Sequence, residues 1–231
     1  MPFSGLDARV ADVRARIADA VRRGGRAQDV RLVAVTKTFG PDAVEAAWRA
    51  GLGDVGENKV QEALEKQPLV RGDATAMRWH LIGHLQRNKV KFLDRFVLFH
   101  ALDSARLADA VHAFGMKRGR PVHTLVEVNV SGEETKGGFG TSGIEREAER
   151  LLGLPGVRVV GVMTMAPFGA DEATLRRVFS GARAAGEALA RAGHPARELS
   201  MGMSDDFEIA VEEGATMVRL GTVLFGARTA T

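Results

Sequence analysis

The sequence predicts a (β/α)8 barrel of the TIM type, led by one extra N-terminal helix. Three observations carry this. Short apolar segments alternate with helical stretches along the whole chain. Those segments are apolar on both faces, as strands of a parallel sheet covered by helices must be. There are eight of them with seven helices between, in a chain of 231 residues, near the lower end for this fold. An open doubly wound sheet is the alternative, but no GxGxxG follows the first strand.

The elements read in order as follows. Leu6, Val10, Val13, Ile17 and Val21 recur at three- and four-residue spacing, giving an amphipathic opening helix ended by Gly24-Gly25. The run Leu32–Lys37 is the first strand, broken by Phe39-Gly40-Pro41, and a helix over Asp42–Ala50 follows. Strand and helix then pair as Asp54–Asn58 with Lys59–Lys66, Trp79–His84 with Gln86–Leu93, and Val97–Leu102 with Ser104–Lys117. The second half repeats the alternation: His123–Asn129 with Ser142–Leu152, Val157–Met165 with Asp171–Ala192, and Glu198–Met203 with Asp205–Glu213. Met217–Leu220 is the last strand. Gly137-Gly138-Phe139-Gly140 reads as a flexible loop, not a boundary. With no linker, low-complexity tract or short-period repeat, residues 1–231 read as one domain.

Composition narrows the function. A 45% hydrophobic content supports one sizeable core, and 26% charged residues is ordinary for a soluble chain. The 32 basic and 29 acidic residues are spread along the chain, which describes a solvated surface and not a nucleic-acid footprint. Cysteine is absent, which excludes disulfides, thiolate metal sites and a cysteine nucleophile, and fits a cytoplasmic location. Tyrosine is absent too, so no phenolic acid or base is available. The N-terminus lacks the layout of a signal peptide, and no apolar run approaches the ~18 residues of a membrane span.

In such barrels chemistry gathers at the carboxyl ends of the strands. Here those ends carry Lys37, Asn58, His84, Asp103, Asn129, Met163 to Met165, Ser204 and Arg219 to Thr222. Lys37 closes a buried apolar run, which is an unusual place for a solvated charge. Partial desolvation frees an amine's lone pair and suits it to form a Schiff base with an aldehyde; the plain alternative is a strand-end lysine paired with a carboxylate. In Ser200-Met201-Gly202-Met203-Ser204-Asp205-Asp206-Phe207 a strand runs into a helix whose N-cap is Ser204 or Asp205. The first-turn N–H groups suit an anion, and Ser204 adds a hydroxyl, although Asp205 and Asp206 must then point away. After the last strand, Gly221 permits close backbone approach and Thr222 offers a hydroxyl and an N–H. The loops after strands 7 and 8 of a barrel are frequent phosphate sites. Arg219, just before that glycine, is placed to face a ring nitrogen of a cofactor or to form a salt bridge in the barrel mouth. His80 and His84 fall on one face of their strand by the two-residue period, but no third ligand is apparent, so no metal is expected. From these residues alone the reading is a barrel with a reactive lysine and a phosphate cradle.

The segments LVAVTK, DVGENKVQEALEK, WHLIGHLQRNKVK, LVEVNVSGEETKGGF, VVGVMTM and ELSMGMSDDFEIAVEEGATMVRLGTVLFG together resemble the YggS/PROSC family of pyridoxal phosphate homeostasis proteins. The match runs from Leu32 to Gly226. The resemblance implies a barrel like the N-terminal domain of alanine racemase, binding pyridoxal 5'-phosphate (a vitamin B6 form) as an aldimine on Lys37. It implies Ser204, Gly221 and Thr222 at the phosphate, Arg219 near the pyridine nitrogen, and Asn58, Met163 and Met165 around the ring. The implied role is buffering of the cofactor, with delivery to apo-enzymes as an extension, no established catalysis, and a monomer or weak homodimer. Alanine racemase opposes its lysine with a tyrosine, which this chain lacks. A racemase-like enzyme and a Schiff-base aldolase acting on a phosphorylated substrate are the alternatives. The segment His84 to Lys89 and the loop residue Lys136 match the family without a clear chemical role.

Overall fold

Residues 3–132 and 137–226 are described in the computed structural model of the chain; Lys136 lies outside them. Helix α1 (Leu6–Gly24) buries Leu6, Val10, Val13, Ile17 and Ala20 along one side and ends on Gly25, whose left-handed conformation (φ 62°) lets its N–H reach Arg22 O. Then follow β1 (Arg31–Val35), α2 (Pro41–Arg49), β2 (Asp54–Glu57), α3 (Val60–Lys66), β3 (Arg78–Leu81), β4 (Leu98–Leu102), α4 (Ala105–Lys117) and β5 (Val122–Asn129). The second half is β6 (Phe139–Gly140), α5 (Ile144–Leu152), β7 (Val157–Met163), α6 (Glu172–Arg191), β8 (Glu198–Ser200), α7 (Phe207–Glu212), β9 (Met217–Leu220) and α8 (Thr222–Phe225).

Eight strands close into a parallel ring in the order β1-β2-β3-β4-β5-β7-β8-β9, with β9 returning to β1. The barrel expected from the alternation is therefore formed, with α1 leading it. The remaining strand, β6, is a two-residue addition to the end of β5, pairing Val128 with Phe139 and Asn129 with Gly140. It occupies the segment expected to be an unstructured glycine loop.

Several boundaries differ from expectation, and one cause accounts for most. The apolar character of the strands runs past the last ladder hydrogen bond, because residues at the rim are still covered. So β1 stops at Val35 and leaves Lys37 in a turn, β3 stops at Leu81 and leaves His84 outside, and β8 stops at Ser200. The segment expected as a helix over Gln86–Leu93 is a 3-10 helix over Arg87–Arg95. Its buried residues are Val90 and Leu93, three apart, the spacing a three-residue turn aligns on one side. Thr222–Phe225, expected as loop, is the short helix α8, with Gly221 at its N-cap.

Glycine is required where the ring is tightest. A Cβ on Gly161 of β7 would lie 1.8 Å from Glu198 O of its neighbour β8, and Gly161 pairs with Glu198 in the ladder. No rotamer relieves a clash with backbone. Gly161→Ala is expected to destabilise the barrel by about 2 kcal/mol or more. Gly140→Ala, where nothing lies within 4 Å, is expected to stay within about 0.5 kcal/mol of the parent. Denaturant midpoints of the two variants decide it.

Candidate functional site

A parallel ring delivers all strand carboxyl ends to one rim. Five of the eight strands, β2-β1-β9-β8-β7, form a contiguous arc of it. Read around that arc, Asn58 follows β2, Lys37 follows β1, Gly221 and Thr222 follow β9, Ser204 follows β8, and Met165 follows β7. Residues scattered over 186 positions of sequence are thus neighbours in strand order. A cavity of about 640 Å³ lies elsewhere, between α1 and the amino ends of β1 and β2, lined by Ile17, Val21, Gln28 and Leu32 among others.

The backbone around Lys37 is held from both sides. Thr36 is fully buried; its N–H donates to Gly56 O (3.2 Å) and its hydroxyl to Glu57 Oε1 (2.6 Å). Lys66 Nζ donates to Thr36 O (2.8 Å) and to Glu57 Oε1 (2.6 Å). On the other side Thr38 takes a left-handed conformation (φ 69°), strained for a β-branched residue. Its N–H donates to Glu62 Oε1, and Lys66 also lies 3.4 Å from that oxygen. Lys37 itself is half-buried. Glu57, Glu62 and Lys66 therefore clamp the turn that presents it. Burial pushes the Glu57 carboxyl above its ordinary range despite its bonds to Lys66 and Thr36, and its Oε2 has no hydrogen-bond partner among the described residues.

The two segments expected at a phosphate are tied to each other. Val223 N–H donates to Ser204 Oγ (3.2 Å), so the loops after β8 and β9 meet there. The hydroxyl's own proton stays available to an acceptor. Neither Ser204 nor Asp205 caps α7; the helix starts later, with Asp206 at its N-cap, because the Asp206 carboxylate folds back to accept Met203 N–H at 2.5 Å. Burial pushes the Asp206 carboxyl up. Gly221 has φ −119°, and a Cβ there would meet Val35 no closer than 3.5 Å, so neither backbone strain nor packing within the protein demands a glycine. Thr222 is exposed.

Arg219 is 4% exposed, inside the barrel mouth. Its Nη1 donates to Ser200 Oγ (2.8 Å) and Nη2 to Thr164 O (3.0 Å), using two of the five guanidinium donors. Burial pushes its pKa down to about 10, against the pull of Asp206 and Glu127, so the group stays charged at neutral pH. Its anticipated salt bridge is replaced by these neutral acceptors. Met163 is packed in the core at 1% exposure, under the rim, whereas Met165 is 40% exposed on it. Asn58 is half-buried and abuts Gly83, where a Cβ would lie 2.4 Å from Asn58 O. His80 and His84 share no face: His80 is inside the barrel, and His84 lies past the strand end, exposed, with Nδ1 2.7 Å from Asp103 Oδ2.

The sequence reading missed Glu57, Glu62, Lys66 and Ser200. Their only signal was a charged cluster in DVGENKVQEALEK and a serine inside a strand, and both resemble ordinary surface patterning. Lys66→Met tests the clamp. It leaves Glu57 buried without its cation, and the expected cost at pH 7.5 is about 3 kcal/mol. The cost falls on the ionised carboxylate, so the deficit is expected to shrink as pH drops and Glu57 protonates. Urea unfolding at pH 7.5 and pH 5 reads both; an unchanged deficit would mean lost packing and no clamp.

This site geometry coincides with a family match. Residues 10–229 match the family model described as "Alanine racemase, N-terminal domain". A "Pyridoxal phosphate homeostasis protein" of Aquifex aeolicus is 42% identical over 223 residues, covering 95% of this chain and 97% of that one. The solved structure of PipY of Synechococcus elongatus with PLP bound has a TM-score of 0.82 at 33% identity, over 96% of this chain and all of that one. Alanine racemase of Corynebacterium glutamicum shares the fold, with a TM-score of 0.75 at 14% identity, and here the chain spans 62% of its length. The chain belongs to the alanine racemase N-terminal domain family and, within it, to the pyridoxal phosphate homeostasis proteins.

Proposed function

We propose that this protein binds pyridoxal 5'-phosphate at the rim arc, with Lys37 as its point of covalent attachment, and holds the cofactor in reserve without catalysing a reaction of its own. The observation that carries this is the arc itself: one amine, two loops tied to each other and a buried guanidinium on adjacent strands. The donor set fits the cofactor. Ser204 Oγ–H and the backbone of the Gly221–Thr222 turn suit a phosphate dianion, and the room at Gly221 is not used by the protein. Arg219 suits a ring nitrogen, and Asn58 and Met165 suit the ring edge and face. Met163 supports the site from below.

When bound, pyridoxal phosphate supplies an aldehyde carbon that an amine can take up reversibly and a conjugated ring that withdraws electrons. The chain's residues do the rest. The Glu57–Lys66–Glu62 clamp fixes the turn so that Lys37 Nζ is presented in one place. Arg219, charged at neutral pH, disfavours a proton on the ring nitrogen and so weakens electron withdrawal. The chain has no tyrosine to serve as a second, opposed base. Both features favour holding over turnover, and reversible attachment suits exchange with amines of apo-enzymes. No helix among the described residues is long and apolar enough to cross a membrane; a cytoplasmic location agrees with the absence of cysteine.

The protein mixed with pyridoxal phosphate is expected to show a visible absorption band. After borohydride reduction, peptide mass analysis is expected to find the adduct on Lys37. An adduct spread over surface lysines would reject the site. Incubation of the loaded protein with L-alanine is expected to yield no D-alanine above free cofactor. Turnover that Lys37→Ala abolishes would make the protein an enzyme.

A further inference from the structure

A column of buried polar side chains crosses the barrel interior, where such folds normally stack apolar layers. It begins at the amino-end floor, where Arg78 Nε and Nη2 donate to Asp54 Oδ1 and Oδ2 (2.8 and 2.5 Å). Asp54 Oδ1 lies 2.9 Å from His80 Nε2, and His80 Nδ1 lies 2.9 Å from His100 Nε2. His100 Nδ1 lies 2.9 Å from Ser200 Oγ, which takes the bond from Arg219 Nη1. Asp54, His80, His100, Ser200 and Arg219 are all 4% exposed or less, and none has a buried polar atom without a partner among the described residues.

With both imidazoles neutral, the two ends fix the protons between them. A guanidinium only donates and a carboxylate only accepts. Asp54 is a carboxylate: burial pushes it up, but the bonds from His80 and Arg78 prevail and hold it at about 2. In its neutral form His80 then donates from Nε2 to Asp54 and accepts at Nδ1. His100, kept neutral by burial, then donates from Nε2 and accepts at Nδ1 from the Ser200 hydroxyl. Ser200 has then given its proton away from Arg219 and keeps a lone pair turned toward it. The bonds run one way, from the cation at the mouth to the anion at the floor.

We propose that Asp54, His80, His100 and Ser200 are positioning residues that lock the Arg219 guanidinium in place and thereby keep the ring nitrogen of bound pyridoxal phosphate unprotonated. This rests on the assignment of Arg219 to that nitrogen. A serine whose proton is free to turn can present a donor to Arg219, which has no acceptor to receive it. The column removes that option, and Thr164 O fixes the second amino group of the fork. The other charged groups facing Arg219 and the column are Glu127 on β5, Asp206 ahead of α7 and Arg31 on β1. Burial and then Asp103 push the Glu127 carboxyl up.

The test uses pyridoxal phosphate labelled with 15N in the ring, loaded on the full chain, with the nitrogen chemical shift followed against pH. Ser200→Ala removes the acceptor and is expected to raise the midpoint of ring-nitrogen protonation by about one pH unit, a tenfold change in basicity. Ser200→Thr keeps the hydroxyl and is expected to match the parent. Asp54→Ala, at the floor and remote from the ligand, is expected to move the midpoint the same way as Ser200→Ala. Loaded Ser200→Ala and Asp54→Ala proteins with the parent's midpoint would overturn the proposal, while an Arg219→Ala protein with an unmoved midpoint would reject the assignment of Arg219 itself. Should Asp54→Ala fail to fold, the Ser200 pair alone decides.

Discussion

In a closed ring of parallel strands no edge is left open and every strand ends on the same rim. That one constraint organises this protein. The β9–β1 and β4–β5 pairings complete the ring, and closure converts order along the sequence into order around a circle. The first and last strands become neighbours. The amine that follows β1 and the glycine turn that follows β9 can meet only for that reason, and the Ser204–Val223 bond then links the loop after β8 to the same corner.

Closure also creates an interior that must be filled, and here part of the filling is charged. Two buried polar systems have different balances, one inside the ring and one between β2 and α3. The column from Asp54 to Arg219 gives each hydrogen-bonding group an acceptor or a donor, which is the condition under which burying polar atoms is tolerated. The Glu57–Lys66 pair is less complete, with one carboxylate oxygen unpartnered among the described residues. A buried ion pair of that kind adds little net stability compared with apolar residues of the same size. Its justification is local: it fixes Thr36 and, with Glu62, the strained Thr38, and so the turn carrying Lys37. The strain and the imperfect pairing both sit beside the proposed attachment point, where a preorganised amine is worth more than a relaxed loop.

The fold was largely legible in the linear pattern, and the site partly so. The eight apolar runs are all barrel strands, because a parallel strand buried on both faces has to be apolar at nearly every position. Strand ends were legible only to within a few residues, since rim residues such as Ile82 and Met201 remain covered after the ladder stops. Gln86 to Leu93 read as helix because apolar periods of three and four overlap over so short a stretch, and the packing of Val90 and Leu93 settled it as a 3-10 turn. Lys37, Ser204, Arg219, Gly221 and Thr222 were legible as rim residues from strand ends alone. Glu57, Lys66 and the His80–His100–Ser200 column were not, because nothing in a one-dimensional pattern distinguishes an inward polar side chain from an outward one.

The sequence by itself therefore determined the fold class, the rim on which chemistry gathers, the family, and the lack of any cysteine or tyrosine chemistry. Periodicity, punctuation by glycine and proline, composition and, for the family, the motifs it resembles are all properties of the chain, and these conclusions need nothing more. Which strands adjoin, where Asp206 turns its carboxylate, which acidic groups clamp Lys37, and which way each proton points between Arg219 and Asp54 were decided by tertiary structure. Those outcomes depend on distances of about 3 Å between residues far apart in the chain, such as His100 and Ser200, 100 positions apart. Hydrogen bonding is short-ranged and directional, so only the closed barrel brings its partners within reach.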